Sequence, residues 1–268
     1  MAADDEESED LVLIHRAAPL ATLTLNRAEQ LNPLDRRTIA ALGAAVAELE
    51  AEPEIAIVAI RGAGRAFSAG GDLGGYMELY RDRPKFMRFL RAFNEMLEAI
   101  ERSEKIYVAV VQGPCVAGGL ELMLACDVVI AAHEARIADG HLNFAQLPGA
   151  GGSQRLVRAI GALRAKHLML TGRSVDGIEA ERIGLASIAA PLAELDEALG
   201  ALVARLSGHS PLGLRGAKYL VNTAALGMRD RGLELELTYV HHYATTSRDA
   251  WEGLEAFRDK RRPNLTGE

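Results

Sequence analysis

Within residues 113–127, GPCVAGGLELMLACD, two adjacent glycines, Gly118 and Gly119, precede a carboxylate, Glu121. If a helix starts at Gly118, its first amide N–H groups and the positive end of its dipole face outward, where a developing oxyanion can be held. Glu121, almost one turn later, is then placed to move protons. That is equipment for acyl chemistry. A carboxylate that merely complements the helix dipole is the alternative, but the neighbours Leu120, Leu122, Met123 and Leu124 are apolar. A carboxylate set among them is paired, protonated or functional. A second glycine turn, GAGRAFSAGGD over residues 62–72, offers Gly70 and Gly71, whose amides can face a ligand without Cβ obstruction. It has no Walker lysine and does not meet the G-x-G-x-x-G spacing of a phosphate cradle, and alone it also fits a tight strand–helix connection.

The elements around these turns decide whether they meet. LVLIH (11–15) and LATLTLN (20–26) predict a hairpin, and residues 34–53 predict a helix with Leu34, Ile39, Leu42, Val46 and Leu49 on one stripe. EIAIVAIRG (54–62) is a short, nearly continuous apolar strand that closes on the first glycine turn. A helix near 84–102 carries Met87, Leu90, Phe93, Leu97 and Ile100, and IYVAVVQG (106–113) is a strand that closes on the second. DVVIAA (127–132) follows the short helix after Gly118. Strands alternating with helical crossovers imply an α/β protein with a parallel or mixed sheet. Both glycine turns then lie at one sheet edge, where open α/β sheets hold ligands and where two amides can form an oxyanion hole. From about 152 the period is helical, with one strand-like interruption at 185–190 and helices expected over 194–207, 211–224 and 229–245.

The 268 residues carry 30 Lys+Arg against 37 Asp+Glu, net charge −7, which argues against a nucleic-acid footprint or attraction to anionic lipid. No apolar run approaches the roughly 20 residues of a membrane span. Six carboxylates in the first ten residues, with no strand or helix period, predict a disordered acidic tail over 1–10. Cys115 and Cys126 match no zinc or disulfide pattern, which fits a reducing cytoplasm. His241 and His242 have no partner spacing that argues for a metal, so no metal site is expected.

Five ordered motifs identify a relationship: NRAEQLNPL (26–34), FSAGGD (67–72), GPCVAGGLEL (113–122), LPGAGGSQR (147–155) and AFRDKR (256–261). The chain resembles the enoyl-CoA hydratase/isomerase, or crotonase, superfamily from about residue 11 to 264. The resemblance implies a crotonase-like α/β fold: a ββα-spiral core (11–195) with a CoA-thioester site and a C-terminal helical trimerisation segment (196–268). It implies an acyl-CoA substrate, no cofactor beyond the substrate's CoA moiety, and a homotrimer or homohexamer. It places the two oxyanion-hole amides on Gly71 and Gly118, and CoA contacts around Glu29, Gln30, Leu31 and Ala69. Arg65 falls near the phosphates, with a solvated surface charge as the other reading. Phe257 and Lys260 match positions that in relatives reach CoA from a neighbouring subunit.

Hydratases of this family use two glutamates. Glu121 matches the first, and His141 stands at the second, with Asp139 the only carboxylate in that stretch and on the same side if the segment is extended. His141 has three readings: imidazolium partner of Glu121, base or hydrogen-bonding group for another reaction, or inert pocket residue. Met77, Tyr80, Leu142, Phe144 and Leu147 are candidate acyl-pocket residues, with Met77 and Tyr80 also fitting an ordinary core stripe. The expected reaction is hydration of a 2-enoyl-CoA. The alternatives are another thioester reaction on the same hole (isomerisation, decarboxylation, hydrolysis, C–C cleavage) and a non-catalytic acyl-CoA binder.

Overall fold

The computed structural model describes residues 10–209, 211–225 and 229–264. The tail expected over 1–10 therefore lies outside the described residues except for Asp10, whose carbonyl accepts a hydrogen bond from the Asn26 side chain. Strands β1 (Val12–Ala17) and β2 (Leu20–Leu25) form the antiparallel hairpin. Helix α1 (Arg36–Glu50) starts where the Asp35 carboxylate accepts the Thr38 amide at 2.8 Å, and it buries the predicted stripe. Strand β3 (Ile57–Gly62) then runs parallel to β2.

After the first glycine turn the chain departs from expectation. A separate helix α2 (Leu73–Arg81) begins inside the glycine-rich stretch, because Asp72 caps it by accepting the Gly74 amide. It breaks at Asp82, which caps the next helix, α3 (Arg83–Arg102). Strand β4 (Ile106–Val111), short strand β5 (Pro114–Val116), helix α4 (Gly118–Ala125) and strands β6 (Val128–Ala132) and β7 (Arg136–Ala138) follow.

The main sheet has the order β1-β2-β3-β4-β6-β8, with β8 (Ile188–Ala190) at its far edge, and all its pairings but β1·β2 are parallel. β4 is buried along its whole length, as a strand covered on both faces must be. A second layer is formed where β5 pairs β7, Ser68 bridges to Cys115, and Ile137 bridges to Val175. This layer links the two glycine turns.

Helices α5 (Gly152–Thr171), α6 (Gly177–Ile183) and α7 (Leu195–Ser207) follow, and α8 (Pro211–Ala225), α9 (Arg229–Thr246) and α10 (Arg248–Arg258) make up the last helical stretch. α9 packs on α3 and α5, and α10 on α2 and α9, so this segment roofs the site side of the core. α8 is fastened by Lys218, whose buried Nζ pairs with Asp127 at 2.8 Å and donates to the carbonyls of Ile100 and Lys105. Lys218→Met leaves Asp127 buried without its cation. Breaking such a pair costs about 3–5 kcal/mol, a drop that urea unfolding should show.

Candidate active site

The two glycine turns are pressed together. The Ser68 amide donates to the Pro114 carbonyl (3.1 Å) and the Val116 amide to the Ser68 carbonyl (3.0 Å). The contact leaves no room for side chains: a Cβ on Gly119 would lie 2.4 Å from the Ser68 carbonyl oxygen, and one on Gly70 would lie 2.9 Å from the Val116 carbonyl oxygen. Gly70 also has φ +98°, the left-handed region that glycine tolerates. Asn32 braces the first turn, donating to the carbonyls of Ala63, Ala66 and Phe67, while the Ala69 amide donates to the Leu31 carbonyl.

Helix α4 has no side-chain cap. It is entered through Ala117 at φ 51°, ψ −116°, a strained conformation for a residue with a Cβ, of order 1–3 kcal/mol. The strained entry turns the Gly118 amide toward the first turn. Neither the Gly71 nor the Gly118 amide has an acceptor among the described residues. Two unpaired donors from adjacent turns suit an oxygen that gains negative charge.

Glu121 is 2 % exposed. Its Oε1 accepts the amides of Ala150 (2.8 Å) and Gly152 (2.9 Å), while no hydrogen bond to Oε2 forms among the described residues. Gly152 opens α5, so the carboxylate sits at that helix's positive end. The LPGAGGSQR motif thus forms a cradle for Glu121. Arg155 braces this cradle by donating to the Ala150 carbonyl at 2.6 Å while making a two-pronged pair with Glu101, and Asn94 donates to the Gly149 carbonyl. Burial pushes the Glu121 carboxyl above its usual range, against the lowering influence of His141 and the two amides.

The His141 Nδ1 lies 3.1 Å from the Asp139 Oδ2, and Asp139 is 1 % exposed. The pairing forms as the sequence suggested but through a different path. The segment is not extended there: Gly140 has φ +65° and turns β7 into a 3-10 turn, His141–Phe144. A carboxylate on Nδ1 holds the proton on that nitrogen and leaves Nε2 as the basic nitrogen of the neutral ring.

Glu121, His141, Gly71 and Ala117 line one cavity of about 490 Å³. Of the expected contacts, Gln30, Leu31, Ala69, Tyr80, Phe144 and Leu147 line it. Glu29, Arg65 and Lys260 are not among the lining residues. Met77 is a correction: it packs on the core, because its direction on α2 differs from that of Tyr76 and Tyr80, which share the cavity face. Leu142 is another, turned outward at 36 % exposure by the 3-10 turn. Phe257 lines this chain's own cavity and meets Phe144 edge to face at 5.4 Å.

Sequence reasoning missed the wall of Tyr76, Phe86, Phe89 and Gln146, and treated Leu90 and Phe93 as core alone. Five of the six phenylalanines in the chain line this cavity, so much of its wall is apolar and aromatic. Among the described residues no group of three or more His, Cys, Asp or Glu could hold a metal ion, and no helix is long and apolar enough to cross a membrane.

Comparisons with known proteins agree with this geometry. The family model described as enoyl-CoA hydratase/isomerase matches residues 15–268. A probable enoyl-CoA hydratase of Mycobacterium tuberculosis is 36% identical over 257 residues, covering 96% of this chain and 98% of that protein. The crystal structure of an enoyl-CoA hydratase from Mycobacterium avium subsp. paratuberculosis superposes with a TM-score of 0.85 at 28% identity, covering 96% of this chain and 98% of that one. A monofunctional enoyl-CoA isomerase from M. smegmatis gives a TM-score of 0.69 at 34% identity, covering 84% and 99%. The cradle, the paired glycine turns and these matches together make the chain a member of the enoyl-CoA hydratase/isomerase family, within the crotonase superfamily.

Proposed function

We propose that the protein hydrates a 2-enoyl-CoA to the 3-hydroxyacyl-CoA. The observation that carries this reading is a buried carboxylate, Glu121, held by one oxygen on two amides, in the same cavity as a histidine oriented by its own carboxylate. The substrate's thioester oxygen takes the Gly71 and Gly118 amides. Glu121 removes a proton from water as the water oxygen bonds to the β-carbon, and the double-bond electrons move to the α-carbon and thioester oxygen as an enolate. His141, as imidazolium, delivers a proton to the α-carbon. The neutral Glu121 then returns its proton to His141, so one water has been added and both groups are reset.

The His–Asp pair supports this acid over an inert pocket histidine, because an adjacent buried carboxylate stabilises the imidazolium the step consumes. The amides of Gly71 and Gly118 and the Glu121 Oε2, none of them hydrogen-bonded among the described residues, argue against a mere acyl-CoA binder. The other reading that an observation favours is double-bond isomerisation. It needs only one carboxylate to shuttle a proton between carbons, and the second glutamate position holds His141. Exposed Tyr219, Leu220 and Val221 on α8 support an assembly of several copies.

The test is the loss of enoyl-thioester absorbance with 2-butenoyl-CoA and longer 2-enoyl-CoAs, with product identification by mass. Formation of 3-hydroxyacyl-CoA supports hydration; a protein that only shifts 3-enoyl to 2-enoyl thioesters is an isomerase.

A further inference from the structure

Tyr76 is used by nothing described so far. It rises from the first turns of α2, which the Asp72 cap anchors directly after Gly71. Its ring is held edge to face on Phe89 (5.7 Å, 70°) and stacks at 6.0 Å with Tyr80. Its hydroxyl reaches back over Gly71: a Cβ built on Gly71 would lie 2.1 Å from it. Residue 71 is therefore glycine for space, since its φ is not in the left-handed region. A Cβ lies about 2.5 Å from its own amide nitrogen, so the hydroxyl is within about 4.6 Å of the Gly71 nitrogen. One oxygen can accept from both donors at that separation. The hydroxyl has no hydrogen-bond partner among the described residues, and Tyr76 lines the cavity.

We propose that Tyr76 is a third hydrogen-bond donor to the substrate's thioester oxygen, a further catalytic residue beside the Gly71 and Gly118 amides. Burial, reinforced by the nearby Glu121 and Asp72 charges, raises the phenol above its usual range, so it stays a neutral donor throughout the working pH range. A thioester carbonyl oxygen has two lone pairs, which the two amides satisfy. The enolate oxygen has a third, and the phenol serves it. The Tyr76 bond therefore strengthens as charge develops, which lowers the barrier and leaves ground-state binding almost unchanged.

The inference rests on the thioester-enolate reading, and its test does not depend on turnover. Wild type and Tyr76→Phe are compared for two ligands: butanoyl-CoA, which has no acidic α-hydrogen of consequence, and 3-oxobutanoyl-CoA, whose acidic α-hydrogen allows it to bind as an enolate that is followed by its ultraviolet absorbance. The isosteric variant keeps the ring contacts, and matched thermal unfolding verifies its fold. Affinity for butanoyl-CoA is expected to stay within about twofold, while affinity for the enolate falls roughly 10- to 100-fold, with kcat falling in parallel and KM holding. Unchanged enolate affinity overturns the proposal. So does an equal loss for both ligands, which makes Tyr76 a ground-state contact only, and so does a wild type that binds neither. If the enolate affinity falls but no 2-enoyl-CoA is hydrated by the wild type, the third donor stands and the hydration reading fails.

Discussion

Glu121→Gln lowers kcat for 2-enoyl-CoA hydration by about 10³-fold or more while making the folded protein more stable at neutral pH. The glutamine carbonyl oxygen can still accept the Ala150 and Gly152 amides that hold Glu121 Oε1, so the cradle is kept. What disappears is the basic carboxylate, and general acid–base groups contribute roughly 10²–10⁴-fold to rate, with the upper half expected for the group that activates water. The stability change follows from the raised carboxyl. Its folded value lies above the ordinary 4.5 because burial disfavours the charge. Between 4.5 and that raised value the folded state binds more protons than the unfolded state, so wild-type stability falls as pH rises through the window. Glutamine does not titrate. The variant's advantage should therefore be full above the window and close as pH is lowered toward 4.5, which thermal unfolding across pH measures. Wild-type activity should run the opposite way, rising with pH as Glu121 ionises.

His141→Ala gives the second large effect, a loss of roughly 10²–10³ in kcat with KM changed little. Removing the imidazole takes away the acid for the α-carbon, and it also leaves the Asp139 carboxylate buried without its partner. Asp139 Oδ1 already has no hydrogen-bond partner among the described residues, so the variant should lose stability as well. Asp139→Asn separates the two consequences. It keeps the imidazole and removes only the charge beside Nδ1, so kcat should fall less than in His141→Ala. A His141→Ala enzyme with wild-type kcat makes the histidine an inert wall and assigns both proton transfers to Glu121.

The parts of this site that were legible in the sequence are those encoded within a few residues. Gly118, Gly119 and Glu121 announce a helix start with a carboxylate, and the apolar strands closing on Gly62 and Gly113 announce two turns at one sheet edge. Contacts between distant segments were hidden. The amides of Ala150 and Gly152 that hold Glu121 come from a loop 29 and 31 residues away, and the Arg155–Glu101 pair that braces the loop spans 54. The aromatic wall was hidden for another reason. Phe86, Phe89 and Phe93 repeat at helical spacing, and a helix face that packs a core has the same pattern as one that lines a cavity. Met77 and Leu142 were misplaced because nearness to a motif along the chain does not set side-chain direction. Helix α2 points Tyr76 and Tyr80 inward together, and the 3-10 turn points Leu142 out. Tyr76 itself could not be read, since its role depends on a hydroxyl lying where a Gly71 Cβ would be.

Addition of water across an enoyl thioester, on which the roles of Glu121 and His141 rest, is tested most directly by following isotopes through one turnover. A 2-enoyl-CoA is incubated with the wild-type protein in ¹⁸O-labelled D₂O, and the product is analysed by mass spectrometry and NMR. Hydration predicts one ¹⁸O on the β-carbon and one deuterium on the α-carbon. Deuterium at the α- or γ-carbon without any ¹⁸O, accompanied by a shifted double bond, contradicts it and identifies an isomerase.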